Sequence, residues 1–446
     1  MEEYIRILLE QIRCKKARPM IEQEIRSHIE DQAEANRAAG MTPAVALSAA
    51  VKDMGNPVEA GISLDRIHRP RFSRKLLFIM ICISLLNILI HITIGLHEDM
   101  LNGYTGEAYI RRIILHVFLG FGVMLLCCHL DYSFFARFAR PLLALLYLFL
   151  FWQSTFGGLM INGAMRFAAL GPTTISLVHL SFLCVPLYGS LLFQYYGTGY
   201  RGIAKSILWM LPPVISCRNM PCLSQGILLF FLLSLLLSLA VYQGVFRVNR
   251  KKFLILYWSV LLLVPLLFLF SALTFDGLLA TYQTARIKAF FLPGNSDWNY
   301  IGNLLRQYLS QAKLLGTSGL PFGGYLPEYN SSYILTCICS YYGIAAGIVI
   351  CLLLLSAGLH TLRFSLRQGN LPGRMMGLGC SLVFLSCTFV NILENLGLLP
   401  LTQTFLPFFS YGGSGTLISY ILMGIAFSVY RFQNILPPSR VEKSVP

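Results

Sequence analysis

Residues 76–96 read LLFIMICISLLNILIHITIGL, an uncharged run of 21 positions. A bilayer core accepts a helix of about 20 apolar residues, so the run is long enough to cross it. Basic residues crowd its amino-terminal side in RPRFSRK at 69–75. The seventy residues ahead of it are charged and helical in pattern, so the run is expected to be a first anchor and not a cleaved leader.

Working outward, similar blocks recur near 113–130, 139–156, 173–193, 203–217, 223–245, 253–275, 331–359, 375–399 and 411–430. The chain of 446 residues is 56% hydrophobic and 12% charged. A soluble chain would carry about a quarter charged residues. The expected fold is therefore all-α: a polytopic membrane protein with about ten transmembrane helices, with none of the alternating segments of a membrane barrel. The net charge of +15 would suit nucleic acid, but its distribution argues against that partner. Arg137 and Arg140, Arg201 and Lys205, RVNRKK at 247–252, and Arg363, Arg367 and Arg374 fall in alternate loops. The other short loops hold only Arg111, Arg112, Arg166 and Arg218. By the positive-inside rule both termini are cytoplasmic and the protein belongs in the cytoplasmic membrane. Most of the 12 cysteines lie in apolar runs, where Cys acts as a small hydrophobe. Cys217 and Cys222 flank a turn and could pair. No metal-type spacing of Cys and His appears, and nothing implies a cofactor.

Residues 1–70 form a separate cytosolic unit, with residues 71–446 as the membrane domain. Ile5, Leu8, Leu9 and Ile12, then Ile21, Ile25 and Ile29, recur at helical spacing. Gly40 closes a second helix, Thr42-Pro43 opens a third, and Gly55-Asn56-Pro57 ends it, giving a three-helix module. With SHIED at 27–31 and MGNPVEAG at 54–61 it resembles the permease-prefix (HAAS-type) module, which implies docking or regulation and no chemistry. Farther on, residues 276–331 make a loop far above the usual connection length, and such loops are commonly functional. It contains a helical-looking stretch at 303–315 and leaves through GYLPEYNSSYIL at 324–335.

The most specific stretch is NILENLGLLPLTQTFLPFFSYGGSGTLISY at 391–420. Asn391, Gly397, Leu398, Pro400, Thr402, Leu406, Pro407, Ser410, Tyr411, Gly412, Gly413 and Ser414 carry it. It is similar to the closing signature of the SEDS family, the FtsW/RodA/SpoVE group. GAMRFAALGP at 163–172, RIKAFFLP at 286–293 and the LPE of 326–328 match further family stretches in order. The resemblance implies polymerisation of the lipid-linked disaccharide-peptide precursor of peptidoglycan outside the cytoplasmic membrane, beside a single-pass transpeptidase. Such a reaction needs cations for the pyrophosphate and a base for the acceptor hydroxyl. Arg166 and Arg286 are the candidate cations, each with the plainer role of an arginine reaching headgroups. Glu328, Asn391, Glu394, Ser410, Tyr411, Gly412, Gly413 and Ser414 are candidate substrate-side residues. The SYGGSG run is read first as helix-packing architecture. Glu394 is an intramembrane acid, functional by default or else an interhelical hydrogen bond by a protonated carboxyl.

The chain departs from the family at its chemistry. In the pattern LPE-x-x-x-D the expected catalytic aspartate falls on Ser332, and a hydroxyl needs another base to activate it. Glu328 is the nearest carboxylate, though the family carries a glutamate there as well, and Asp276 and Asp297 read as loop charges. The following family glutamates fall on Ser340 and Tyr341. QPSE-x-x-K falls on SLVHLSF at 176–182, putting His179 at the glutamate and Phe182 at the lysine, and QPDLGT falls on MPCLSQ, putting Cys222 at the aspartate. His179 itself reads as an interior histidine. The expectation is a divergent protein of cell-wall synthesis, division, shape or sporulation with impaired transferase activity. The alternative is a non-catalytic scaffold for a transpeptidase or the precursor, with a lipid-precursor transporter behind both.

Overall fold

The computed structural model describes residues 1–97, 100–101, 103–161, 164–171, 173–220, 222–274, 300–320, 325–399, 402 and 404–433. The amino-terminal module holds α1 (Glu2–Glu10), α2 (Arg18–Ala38), α3 (Pro43–Asp53) and α4 (Pro57–His68). Its core is the expected stripe, with Ile5, Leu8, Ile12, Ile21, Ile25 and Ile29 all buried. The three-helix expectation gives way to four, because one tripeptide does two jobs. Gly55 takes the left-handed φ of 74° that ends α3. Asn56 then accepts from the Val58 N–H and Pro57 occupies the first turn, so α4 starts at once. The Lys16 ammonium reaches the Asp131 carboxylate at 3.3 Å and lies 5.2 Å from the Phe432 ring, connecting the module to the membrane domain.

The membrane domain begins with α5 (Arg74–His97) and α6 (Gly106–His129), joined past a short hairpin of β1 (Met100–Leu101) and β2 (Tyr104–Thr105). Next come α7 (Tyr132–Arg137) and α8 (Ala139–Trp152). Then β3 (Leu159–Ile161), β4 (Ala164–Leu170) and β5 (Thr173–Ser176) form an antiparallel sheet in that order. The sequence reading placed the fourth span from 173; instead a strand fills 173–176 and the helical part follows as α9 (Leu177–Leu180) and α10 (Cys184–Phe193). The fifth expected span is broken into α11 (Tyr200–Leu208) and α12 (Leu211–Asn219), before α13 (Leu223–Tyr242) and α14 (Arg250–Thr274). After α15 (Tyr300–Gln311), the eighth span splits into α16 (Ile334–Tyr342) and α17 (Ile344–Arg367). Then α18 (Leu371–Asn395) and α19 (Gly413–Arg431) close the bundle. Among the described residues, six helices are individually long and apolar enough to cross a membrane.

Gly343 causes the split, with φ at 97°. A Cβ there would meet the Leu314 carbonyl oxygen at 2.5 Å. The residues after α15 lie against the break. Ile344 N–H donates to Lys313 O (2.9 Å) and Ala345 N–H to Leu314 O (3.1 Å), while Ser318 N–H donates to Ser340 O (2.8 Å).

Two helix pairs pack reciprocally through small residues. Between α6 and α19, Gly120 lies under the Tyr420 ring, and a Cβ on Gly424 would lie 2.7 Å from Met124 O. Between α10 and α18, a Cβ on Gly189 would lie 2.5 Å from Met375 O and one on Gly379 2.7 Å from the Pro186 Cα. Lipid tails supply no hydrophobic drive between helices, so close backbone approach of this kind holds the bundle. Replacing Gly424 by Leu forces the pair apart and is expected to cost about 1–3 kcal/mol. Gly122→Leu, on the open face of α6, meets nothing within 4 Å and is the control. Thermal denaturation in detergent should show a lower midpoint for the first variant only; equal midpoints would refute the packing argument.

Candidate functional site

The exit of the long loop, residues 325–333, is a tight turn. Glu328 sits at φ 54°, in the left-handed region that a non-glycine residue enters only when its surroundings hold it there. Its carbonyl accepts from Ser331 N–H (2.9 Å) and Tyr333 N–H (3.1 Å). Its carboxylate is exposed, and the Ser332 hydroxyl donates to Oε2 at 2.7 Å. Ser332 itself is buried. The position expected to carry a proton acceptor therefore carries a donor, turned onto the neighbouring acid.

Behind this turn stands α18. Asn391 and Asn395, one helical turn apart, both donate from Nδ2 to Ser332 O, at 2.9 and 3.2 Å. Asn395 Oδ1 accepts from the Thr336 N–H (3.1 Å) and hydroxyl (2.8 Å), and so caps the open start of α16. On the same helix Glu394 accepts from Thr402 N–H at 2.7 Å, the Thr402 hydroxyl at 2.9 Å and Thr404 N–H at 3.2 Å. Both carboxylate oxygens receive donors. The polar face read from the sequence finds its partners in Ser332 O, Thr402, Thr404 and, at the start of α16, Thr336.

The SYGGSG turn fastens the same region from the other side. The Ser410 hydroxyl accepts from Leu406 N–H (2.7 Å) and donates to Ser331 O (2.8 Å). Tyr411 N–H donates to Asn330 O at 2.9 Å, and the Ser331 hydroxyl donates to Tyr411 O at 3.3 Å. Gly412 has φ 138°, a conformation side chains resist, and a Cβ on Gly413 would touch His116 Nε2 at 2.9 Å. Ser414 accepts from Ser176 N–H at 2.9 Å. The sequence reads this run as helix-packing architecture; its hydrogen bonds go to the loop exit and to Ser176.

Sequence reasoning missed a buried relay next to it. His91 lies 2.8 Å from Phe409 O through Nε2 and 2.6 Å from the Tyr109 hydroxyl through Nδ1. A carbonyl can only accept, so Nε2 carries the proton and Tyr109 donates to Nδ1. Tyr109 stacks on Tyr411 at 4.7 Å. Arg112, whose guanidinium lies 3.8 Å over the Tyr104 ring, and His116 share one face of α6. Their i, i+4 spacing was the available signal. Arg166, on β4, donates from Nε to Met220 O at 3.2 Å. His179 meets the Phe405 ring at 4.6 Å. Cys217 and Cys222 are both free. Arg286, Asp276 and Asp297 lie outside the described residues.

A model of the FtsW/RodA/SpoVE family, described as cell cycle protein, matches residues 73–435. The chain belongs to the FtsW/RodA/SpoVE (SEDS) family. It is similar to the probable peptidoglycan glycosyltransferase FtsW of Synechocystis sp., 27% identical over 353 residues, covering 76% of this chain and 84% of the relative. The probable peptidoglycan glycosyltransferase FtsW of Geobacter sulfurreducens is 25% identical over 348 residues, covering 73% of this chain and 86% of the relative. A solved chain from work on structural coordination of polymerization and crosslinking by a peptidoglycan synthase complex superposes with TM-score 0.65 at 20% identity. It covers 81% of this chain and 98% of its own length. The rod shape determining protein RodA of Thermus thermophilus follows at TM-score 0.55 and 18% identity, over 81% and 97%. These two likenesses show the fold. This SEDS protein is a multi-pass protein of the cytoplasmic membrane in a family of cell-wall synthesis.

If Glu394 anchors Thr402 and Thr404, Glu394→Ala strands two backbone N–H groups and should cost about 2–5 kcal/mol. Glu394→Gln keeps a carbonyl acceptor and should lose less. Thermal midpoints in detergent that match wild type for both variants would remove the anchor role.

Proposed function

We infer that this SEDS protein serves peptidoglycan synthesis with its transferase chemistry impaired, as a binding partner for the lipid-linked precursor and for a single-pass transpeptidase. The observation that carries the reading is the Ser332 hydroxyl donating to Glu328 at the place where the family pattern puts an aspartate. A positioned general base contributes about 10²–10⁴-fold to such a reaction. With Phe182 and Cys222 at two other polar motif positions, the lysine and the second aspartate are gone as well. The membrane frame that would grip the precursor and the partner remains. The distribution of loop arginines and lysines supports cytoplasmic termini. Cys222 and Phe182 also limit any simple repair.

One observation favours a second reading, a slow polymerase that uses Glu328 as its base. Its carboxylate is exposed and already holds a hydroxyl at 2.7 Å, the geometry a general base needs. Purified protein incubated with labelled precursor separates the two. No glycan ladder is expected, or one at least about 10²-fold slower than from an aspartate-bearing relative. Ladders at the relative's rate that vanish in Glu328→Gln would establish the second reading. Ser332→Asp alone should not restore activity, because the other polar motif positions are changed as well, to His179 and Phe182, to Cys222, and to Ser340 and Tyr341. Pull-down of the full-length protein tests the scaffold role, and recovery of no transpeptidase under conditions that retain a relative's partner would refute it.

A further inference from the structure

Between α4 and α5 the chain runs through RPRFS, residues 69–73, and a cavity of about 580 Å³ opens beside it. Arg69, Arg71 and Arg74 line it together with Pro70, Phe72 and Tyr430. Three guanidiniums on a free linker would spread apart into water. Here the linker is held down at three points. Arg71 N–H donates to Arg431 O at the end of α19 (3.2 Å). Phe72 stacks on Phe427 at 5.3 Å, with the planes 12° apart. Ser73 meets His360 Nε2 of α17 at 3.2 Å. Tyr430, on the cavity wall, is in turn set edge-on to Phe364 at 5.2 Å. Three exposed arginines on this pinned backbone thus line one space, and among the described residues no ion pair engages them. The volume falls within the roughly 300–1,000 Å³ of small-ligand sites.

We propose that this cavity is a phosphate-binding site for the headgroup of an anionic phospholipid. Guanidinium forks match phosphate oxygens in pairs, and an anionic headgroup leaves that phosphate charge uncompensated where a zwitterionic one does not. Position selects the lipid source. The cavity lies where α5 starts and α19 ends, at the boundary of the apolar bundle, and the Phe72 and Tyr430 rings offer a wall that an acyl-glycerol backbone can lie against. Juxtamembrane basic segments attract anionic lipid in general. What this site adds is convergence on one headgroup, held at the joint between the amino-terminal module and the first span. The inference stands apart from the transferase question, since neither Ser332 nor Glu328 takes part.

The test uses full-length protein in a neutral detergent, titrated with short-chain phosphatidylglycerol, short-chain phosphatidylcholine or inorganic phosphate, and read by thermal shift. Saturable stabilisation by phosphatidylglycerol is expected, with phosphatidylcholine inert and inorganic phosphate weaker. The double variant R71Q/R74Q should need at least tenfold more phosphatidylglycerol. The triple variant R250Q/K251Q/K252Q, which strips basic residues from another span end, should titrate as wild type. Both variants must keep the wild-type midpoint without lipid; if R71Q/R74Q does not, R71K/R74K replaces it, keeping charge and losing the fork. Stabilisation by phosphate equal to that by phosphatidylglycerol would overturn the lipid assignment and leave a soluble phosphate ligand. Equal loss in both variants, or no saturable shift at all, would overturn the site.

Discussion

A backbone amide or carbonyl that enters an apolar bundle must find a partner there, because lipid offers none. This constraint governs the closing third of the chain. The described residues of two segments, the loop exit at 325–333 and the connection between α18 and α19, run beside α18. Asn391, Glu394 and Asn395 supply the missing partners from one helix face, and Ser410 adds another from the turn itself. Remove that face and the two segments lose their common support. The glycine-mediated packing of α6 on α19 and of α10 on α18 then brings the helices close enough for short polar side chains to reach.

Seen this way, Glu328 and Ser332 occupy a platform built with considerable polar investment. The turn holds a non-glycine residue at φ 54°, and its hydrogen bonds to Ser331, Ser332 and Tyr333 offset that strain. Rigid support is what a reactive group needs, and also what a binding surface needs. The platform has outlived the aspartate position of the family pattern. A hydroxyl there is a neutral hydrogen-bonding group where the family pattern has a proton acceptor, and the function proposed above rests on that exchange.

Much of this was legible in the sequence. Length and apolarity located the membrane helices, because a bilayer imposes one length on every crossing. The SYGGSG turn and the Asn391–Glu394–Asn395 face were visible as composition at fixed spacing. The partners of that face were not, because Thr402 and Thr404 meet Glu394 through backbone N–H groups, which every residue carries and no pattern reveals. The β3–β5 sheet was hidden for a similar reason, since MRFAAL is apolar enough to pass for the approach to a helix. Gly55-Asn56-Pro57 misled through economy, ending one helix and opening the next within three residues. The His91–Tyr109 pair joins different helices, and only tertiary contact makes it a relay.

Gly343 carries a mechanical consequence. Breaking the eighth crossing frees the amides of Ile344 and Ala345, and carbonyls at 313 and 314 catch them. Any swing of the segment beyond α15 would expose those donors to hydrocarbon, at several kcal/mol for each. The base of the large loop is thereby welded to the crossing it precedes. Residues 313–318 therefore follow any movement of this crossing.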